Sequence, residues 1–207
     1  MTVELGHEGR LMREIETKYR VGSLGALLDA LDAAGVDLGG PAFQDDLAYA
    51  PAGWEPAMGK PGHTFARLRS VDGGVHVFTT KTPLANAMEY REHETVVADR
   101  EQMHRAVVAM GFVPHVRIVK HRRTGTAGEI TVCVDVVEGV GAFLELERVV
   151  DDDRDGADVQ AELDAWARGL GVALERTTDT YDTLVHGAEV HPGDGRSAPR
   201  LGDSVRT

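Results

Sequence analysis

Arg13-Glu14-Ile15-Glu16-Thr17-Lys18-Tyr19-Arg20-Val21 is the stretch from which the fold can be read. A β-strand sends successive side chains to opposite faces. Glu14, Glu16, Lys18 and Arg20 therefore line one face, and Ile15, Thr17, Tyr19 and Val21 the other. Two carboxylates on one wall suit a hard divalent cation such as Mg²⁺ or Mn²⁺. The lysine beside them suits an anion. A metal and a fixed cation on one wall are what a polyphosphate site needs. A solvated strand face of mixed charge accounts equally for this segment taken alone.

Recurrence separates the two readings. Arg67 and Arg69 flank Leu68, and Thr79 and Lys81 share a face with Val75 and Val77. Glu92 alternates with Glu94, and Lys120 with Arg122. Asp135 shares a face with Thr131 and Cys133, and Glu145 and Glu147 alternate with Leu144 and Leu146. A surface needs no such regularity, whereas a closed barrel with a charged lumen does.

The rest of the chain sets bounds. A length of 207 residues suits one domain, or one domain plus a tail, and 42% apolar residues suffice for a core. A net charge of −12 argues against a nucleic-acid surface. Part of the acidic excess sits in Asp151, Asp152, Asp153, Asp155 and Asp158, read as an exposed loop. The single Cys133 excludes an internal disulfide and fits a reducing compartment; it reads as a small lumen or core residue. No apolar run reaches membrane-spanning length and no signal peptide is apparent, so the expected location is cytoplasmic, without a membrane partner.

Residues 1–12 read as a leader and 187–207 as a disordered tail, with the domain at 13–186 between them. Strands are expected near 13–21, 42–50, 63–70, 75–82, 90–97, 115–122, 128–136 and 142–150. Asp72-Gly73-Gly74 forms a hairpin turn, and Gly125 and Gly128 mark another. Ser23 caps a helix over Leu24, Leu27, Leu28 and Leu31; Asp99 caps a second with Met103, Val107 and Met110 on its apolar side. A third helix covers about 157–169, and a short helical turn lies around Tyr181 to Val185. The expected fold is α+β: an eight-stranded antiparallel barrel with a polar, charged lumen and helices packed outside. A sandwich with helices is the alternative.

With these residues assembled, the chain resembles the CYTH family, the triphosphate tunnel metalloenzymes. Glu14, Glu16 and Lys18 match its E-x-E-x-K strand, Arg67 and Arg69 its R-x-R, and Thr79 and Lys81 its T-x-K. Glu92 and Glu94, then Lys120 and Arg122, follow in the family's order. Asp135 with Gly141, Phe143, Glu145 and Glu147 completes the signature. The resemblance spans about residues 12–185. Glu138 to Glu147 is similar to the class IV adenylate cyclases within the family. One departure is that Gln44 and Asp46 fit a Q-x-D-x-Y strand while Tyr49 stands one residue late, as an insertion or bulge would place it.

The resemblance implies a triphosphate substrate and one or two Mg²⁺ or Mn²⁺ ions, held by Glu14, Glu16, Glu145 and Glu147 with Asp135 as a further ligand. Lys18, Arg67, Arg69, Lys81, Lys120 and Arg122 would bind the phosphates, and Glu14, Glu16, Lys18 and Lys81 would serve catalysis. An adenylate cyclase making cyclic AMP and pyrophosphate is the first implied activity. A triphosphatase acting on inorganic triphosphate, thiamine triphosphate or a nucleotide is the second. A non-catalytic polyphosphate binder is the third, opposed by the presence of all four paired glutamates. A homodimer is common in the family. Glu92 and Glu94 read as salt-bridge partners of the arginines, Arg20 and Arg91 as solvated strand ends, and Trp54 as a loop anchor. Phe143 reads as packing at a tunnel end, and His76, His93 and His121 as exterior.

Overall fold

The computed structural model of the protein describes residues 12–190. Nearly all of the expected leader and most of the expected tail lie outside the described residues. The strands are β1 (Met12–Val21), β2 (Ala42–Pro51), β3 (Phe65–Val71), β4 (Val75–Pro83), β5 (Glu89–Val97), β6 (Phe112–Ala127), β7 (Ile130–Val137), β8 (Gly141–Asp151) and β9 (Leu174–Thr177). The helices are α1 (Leu24–Ala33), α2 (Arg100–Ala109), α3 (Gly156–Gly169) and α4 (Tyr181–Val190). The sheet order is β5-β4-β3-β2-β6-β7-β8-β1, and a β1–β5 pairing closes it into an antiparallel barrel.

Closure is short. Only Glu14↔Tyr90 and Ile15↔Glu89 pair β1 with β5. The same edge of β1 then takes β9, from Lys18↔Thr177 to Val21↔Leu174. β9 thus covers the part of β1 that β5 does not reach, while residues 91–97 of β5 pair on one side only, with β4. β9 went unexpected because four residues, Leu-Glu-Arg-Thr, are too few to show a period of two.

The outward faces of β1, β7 and β8 carry Ile15, Tyr19, Val132, Val134, Leu144 and Leu146. They are buried against Leu27 and Leu31 of α1 and Val159, Leu163 and Ala167 of α3. Each valine, leucine and isoleucine among them contributes about 1.5–3 kcal/mol by leaving water. α2 covers β3 through Val107, which packs on Tyr49, Ala66 and Leu68. The helices thus bury the apolar exterior and leave the alternate, charged positions to the inside. Among the described residues no helix is long and apolar enough to cross a membrane.

Three boundaries differ from the sequence reading. β6 runs sixteen residues, through both Pro114 and Gly125. Gly125 is not a turn residue: a Cβ there would lie 2.6 Å from the Asp37 carbonyl, so glycine admits the loop after α1 across the strand. α4 extends to Val190, past the point where the tail was expected, because Tyr181, Leu184 and Val185 give it a packed face.

Candidate active site

Alternation along the strands, read against the registers, places the charged residues in one lumen. Lys81 of β4 reaches Glu14 Oε1 (2.8 Å) and Glu16 Oε2 (3.2 Å) of β1 and Glu92 Oε2 (3.1 Å) of β5, and stands 3.9 Å from the Tyr90 ring centroid. Lys18 lies 3.1 Å from Glu145 Oε1 and 3.9 Å from Glu16 Oε1. Arg122 donates to both oxygens of Asp135 (2.7 and 2.5 Å), contacts Glu145 and stands 3.7 Å from Glu147. Lys120 donates to Asp135 at 2.9 Å.

The facing wall is built alike. Arg69 holds Asp46 with two parallel hydrogen bonds of 2.7 Å. Arg67 donates to Thr79 (3.1 Å) and Glu94 (3.4 Å) and stands 3.5 Å from Glu92. Glu92 thereby joins the Arg67 wall to Lys81. Glu92 and Glu94 sit as ion-pair partners of the arginine, as the sequence suggests. Asp46 holds an arginine in the same way, a role that its place in the Q-x-D-x-Y pattern does not state; the β2–β3 register sets it opposite Arg69.

The electrostatics sort the carboxylates into two kinds. Burial works against ionisation of Glu92, Asp46 and Glu145. Lys81 and Arg67, Arg69, and Lys18 and Arg122 respectively outweigh it and hold each at about 2. Asp135 is held lower still: burial is overcome by Arg122 and Lys120. Glu14 instead rises to about 8 and Glu147 to about 7. Burial is the main cause of both shifts. Lys81 opposes it at Glu14, and Arg122 at Glu147, while neighbouring glutamates add to it. Lys120 falls to about 8, chiefly by burial and then by the adjacent Arg122.

These shifts test whether the residues fit a divalent ion. Glu14, Glu16, Asp46, Glu92, Glu94, Asp135, Glu145 and Glu147 outnumber Lys18, Arg67, Arg69, Lys81, Lys120 and Arg122. Glu16 and Glu147 are direct cross-strand neighbours. Glu14 and Glu147 carry the raised values, and Glu16 lies beside both in the lumen; the three form a hard-oxygen donor set that fits Mg²⁺ or Mn²⁺. Among the described residues no group of three carboxylates is already arranged to hold a metal ion, for the lysines and Arg122 engage them. Asp135 has its oxygens occupied by Lys120, Arg122 and the Tyr181 hydroxyl (2.8 Å). That arrangement suits holding cations better than ligating a metal.

Other expected residues fall elsewhere. Tyr49 points out of the barrel, buried against Ala66 and Leu68, its hydroxyl 2.7 Å from His104 Nδ1. The β2–β6 register shifts between Ala48 and Tyr49, whose partners are Val116 and Pro114; His115 is the extra residue, so the bulge belongs to β6 and not to β2. The β2–β3 register is unbroken there. Arg91 pairs with Asp152. Trp54 anchors its loop by donating to the Gly59 carbonyl (2.8 Å). Cys133 is buried and raised to about 12 by burial, which keeps it a thiol.

One end of the lumen is apolar. Val116, Ile118, Val137 and Phe143 cluster there with Tyr181, and Leu184 and Val185 of α4 pack on them. Tyr181 touches the charged residues as well, its ring centroid 4.2 Å from Lys18 Nζ and 4.7 Å from Lys120 Nζ. No local pattern pointed to it, because its partner Asp135 lies 46 positions away in the chain.

Residues 12–181 match the family model of the CYTH domain. A protein of Methanocaldococcus jannaschii named as a candidate adenylate cyclase is 26% identical over 79% of this chain and 93% of its own length. A solved candidate adenylate cyclase of Vibrio parahaemolyticus superposes with a TM-score of 0.70 at 22% identity, covering 86% of this chain and 99% of that one. A Hippeastrum protein, named as a candidate adenylyl cyclase with a dominant triphosphatase activity, superposes at 0.58 with 19% identity, covering 84% and 96%.

Proposed function

The chain belongs to the CYTH domain family, and from that premise we propose that it is a metal-dependent enzyme that processes a triphosphate inside its barrel. The observation that carries the reading is the division of labour in the lumen. Cations from facing strands converge on one space, and beside them burial, aided by neighbouring carboxylates, holds Glu14 and Glu147 well above the ordinary carboxylate range despite Lys81 and Arg122.

Arg67, Arg69 and Arg122 present planar forks suited to phosphate oxygens, and Lys18, Lys81 and Lys120 act as point charges. Lys18 and Lys120 are each only 2% exposed, so their charges act with little screening by water. Glu14, Glu16, Glu145 and Glu147 are the residues that would hold one or two ions of Mg²⁺ or Mn²⁺. Such an ion, when bound, supplies countercharge to the phosphate oxygens and to the leaving group. Asp135 keeps Arg122 and Lys120, and Asp46 keeps Arg69, aimed into the lumen. Catalysis of this kind is positioning and charge stabilisation.

The first reading is cyclisation of ATP. The ribose 3′-oxygen bonds to the α-phosphorus, the bond from that phosphorus to the bridging oxygen breaks, and pyrophosphate leaves. The hydroxyl proton passes to a lumen base. The names of the M. jannaschii and V. parahaemolyticus relatives support this branch. The second reading is hydrolysis of the terminal phosphate. Two observations favour it: Tyr49 faces outward, and so offers the lumen no ring for a base, and the Hippeastrum protein carries a triphosphatase name.

The test is incubation with ATP, tripolyphosphate or thiamine triphosphate, each with Mg²⁺ or Mn²⁺, and separation of the products. Cyclic AMP with pyrophosphate supports cyclisation. Orthophosphate without cyclic AMP overturns it and leaves the triphosphate site standing. No turnover of any substrate sinks the enzymatic reading.

A further inference from the structure

The apolar end of the lumen is held shut by contacts that phosphate binding and chemistry do not require. α4 begins at Tyr181, which is buried. Its hydroxyl donates to Asp135 Oδ2 at 2.8 Å, and its ring meets Phe143 edge-on at 5.2 Å. Lys18 and Lys120 stand over the same ring, and Lys18 also donates to the Asp179 carbonyl just before the helix (3.3 Å). The start of α4 is fastened from outside by Lys60, on the loop between β2 and β3. Its ammonium donates to Thr180 Oγ1 (2.6 Å), Asp182 Oδ2 (2.7 Å) and Thr183 Oγ1 (3.4 Å). No neighbour in sequence asks for these bonds, which span 120 positions or more.

We propose that Tyr181, fastened by Lys60, is the floor of the substrate site: a specificity-determining, positioning residue that admits a linear phosphate chain by one end only and sets how many phosphates fit. The proposal rests on the reading of the lumen as a triphosphate site. Its physical basis is the change of environment at the ring. On the lumen side stand Lys18, Lys120 and Arg122. Beyond the ring stand Val116, Ile118 and Val137, apolar side chains that offer a phosphate nothing for the hydration it would lose, while Arg20 lies against the Phe143 ring, 5.4 Å from its centroid. A chain end therefore stops above the ring, against the two lysines. Phosphates beyond the capacity of the lumen remain in solvent and add no contact.

The experiment measures binding of methylene-bridged analogues of pyrophosphate, tripolyphosphate and tetrapolyphosphate, which resist turnover, by calorimetry with Mn²⁺ present. In the wild type, affinity rises from the first to the second and then levels. Tyr181→Ala vacates the space between Lys18 and Lys120, so the chain end settles there and the outermost phosphate of the four-phosphate analogue is drawn from solvent into the cationic lumen, a gain of about tenfold over the three-phosphate one. Tyr181→Phe keeps the ring and the wild-type plateau, which a loss of general stability would not reproduce. Lys60→Ala shifts the plateau in the direction of Tyr181→Ala, and it decides the matter should Tyr181→Ala fail to fold. A folded Tyr181→Ala with the wild-type plateau overturns the proposal. So does a wild type whose affinity keeps rising with chain length, while the lumen reading survives. A wild type that binds none of the three analogues overturns both.

Discussion

Glu14 and Glu147 differ from Asp46, Glu92, Asp135 and Glu145 in one property that can be measured without substrate. Their folded values of about 8 and about 7 lie above the ordinary 4.5. Between 4.5 and those values the folded chain holds protons that the unfolded chain has released, so raising the pH across this window destabilises the metal-free protein. Glu92, Asp46 and Glu145, held at about 2, act oppositely: their contribution is present above the unfolded value and is lost as pH falls towards 2. Metal-free melting temperature should therefore peak in mildly acid solution and decline towards pH 8, as scanning fluorimetry with a chelator would record. Glu147→Gln should flatten the alkaline decline, since it removes one of the groups that deprotonates there; an unchanged decline would exclude Glu147 as its source. Mn²⁺ should raise the melting temperature more at pH 8 than at pH 6, because binding then displaces fewer protons. At this scale the inward residues were legible in the sequence because a period of two marks a face. Tyr181 was not, since its role depends on where the chain returns. Asp46 was legible only through the family pattern, because Asp45 and Leu47 on either side blur the alternation.

Helix and strand boundaries followed local chemistry where one residue decides them. Asp99 caps α2 by accepting from the amides of Glu101 and Gln102, both at 2.9 Å, and the sequence showed it. Asp99→Ala should cost about 1 kcal/mol, read from denaturant melts, and loosen the cover over Tyr49 and Leu68. A cost near zero would mean that α2 is held by Val107 and its neighbours alone. Where a residue type has two uses, the sequence misleads. Gly125 looked like half of a turn, yet it lies inside β6 with the Asp37 carbonyl against it. Gly125→Ala should destabilise by about 1–3 kcal/mol, because backbone on both sides has little freedom to retreat. Wild-type stability in that variant would show that the loop after α1 is free to move. Pro114 hid the first residues of β6 for a related reason: a strand tolerates proline at a bulge, and the bulge exists only in the pairing with β2.

Closure of the barrel was legible because charged faces recurred on strand after strand; which mouth is shut was not, because that depends on α4 and on a lysine far from it in sequence. The whole lumen also carries a charge problem that no single residue shows. Its carboxylates outnumber its cations, so a triphosphate entering alone meets partners already engaged, and a metal entering alone must compete with Lys81 for Glu14 and Glu16. Each ligand relieves the obstacle to the other: phosphate draws Lys81 away, and the metal neutralises the surplus glutamates. Metal and triphosphate should therefore bind with positive coupling, and linkage requires the effect to be reciprocal. A triphosphate analogue should bind about tenfold more tightly at saturating Mn²⁺ than with a chelator, a typical coupling between sites. Lys81→Ala should tighten Mn²⁺ binding in the absence of the analogue, since it frees two glutamates, and should shrink the coupling, since the shared residue is gone. Equal analogue affinity with and without Mn²⁺ would show that the two sites are independent. Weaker Mn²⁺ binding in Lys81→Ala would show that the lysine orders the glutamates for the ion instead of competing with it.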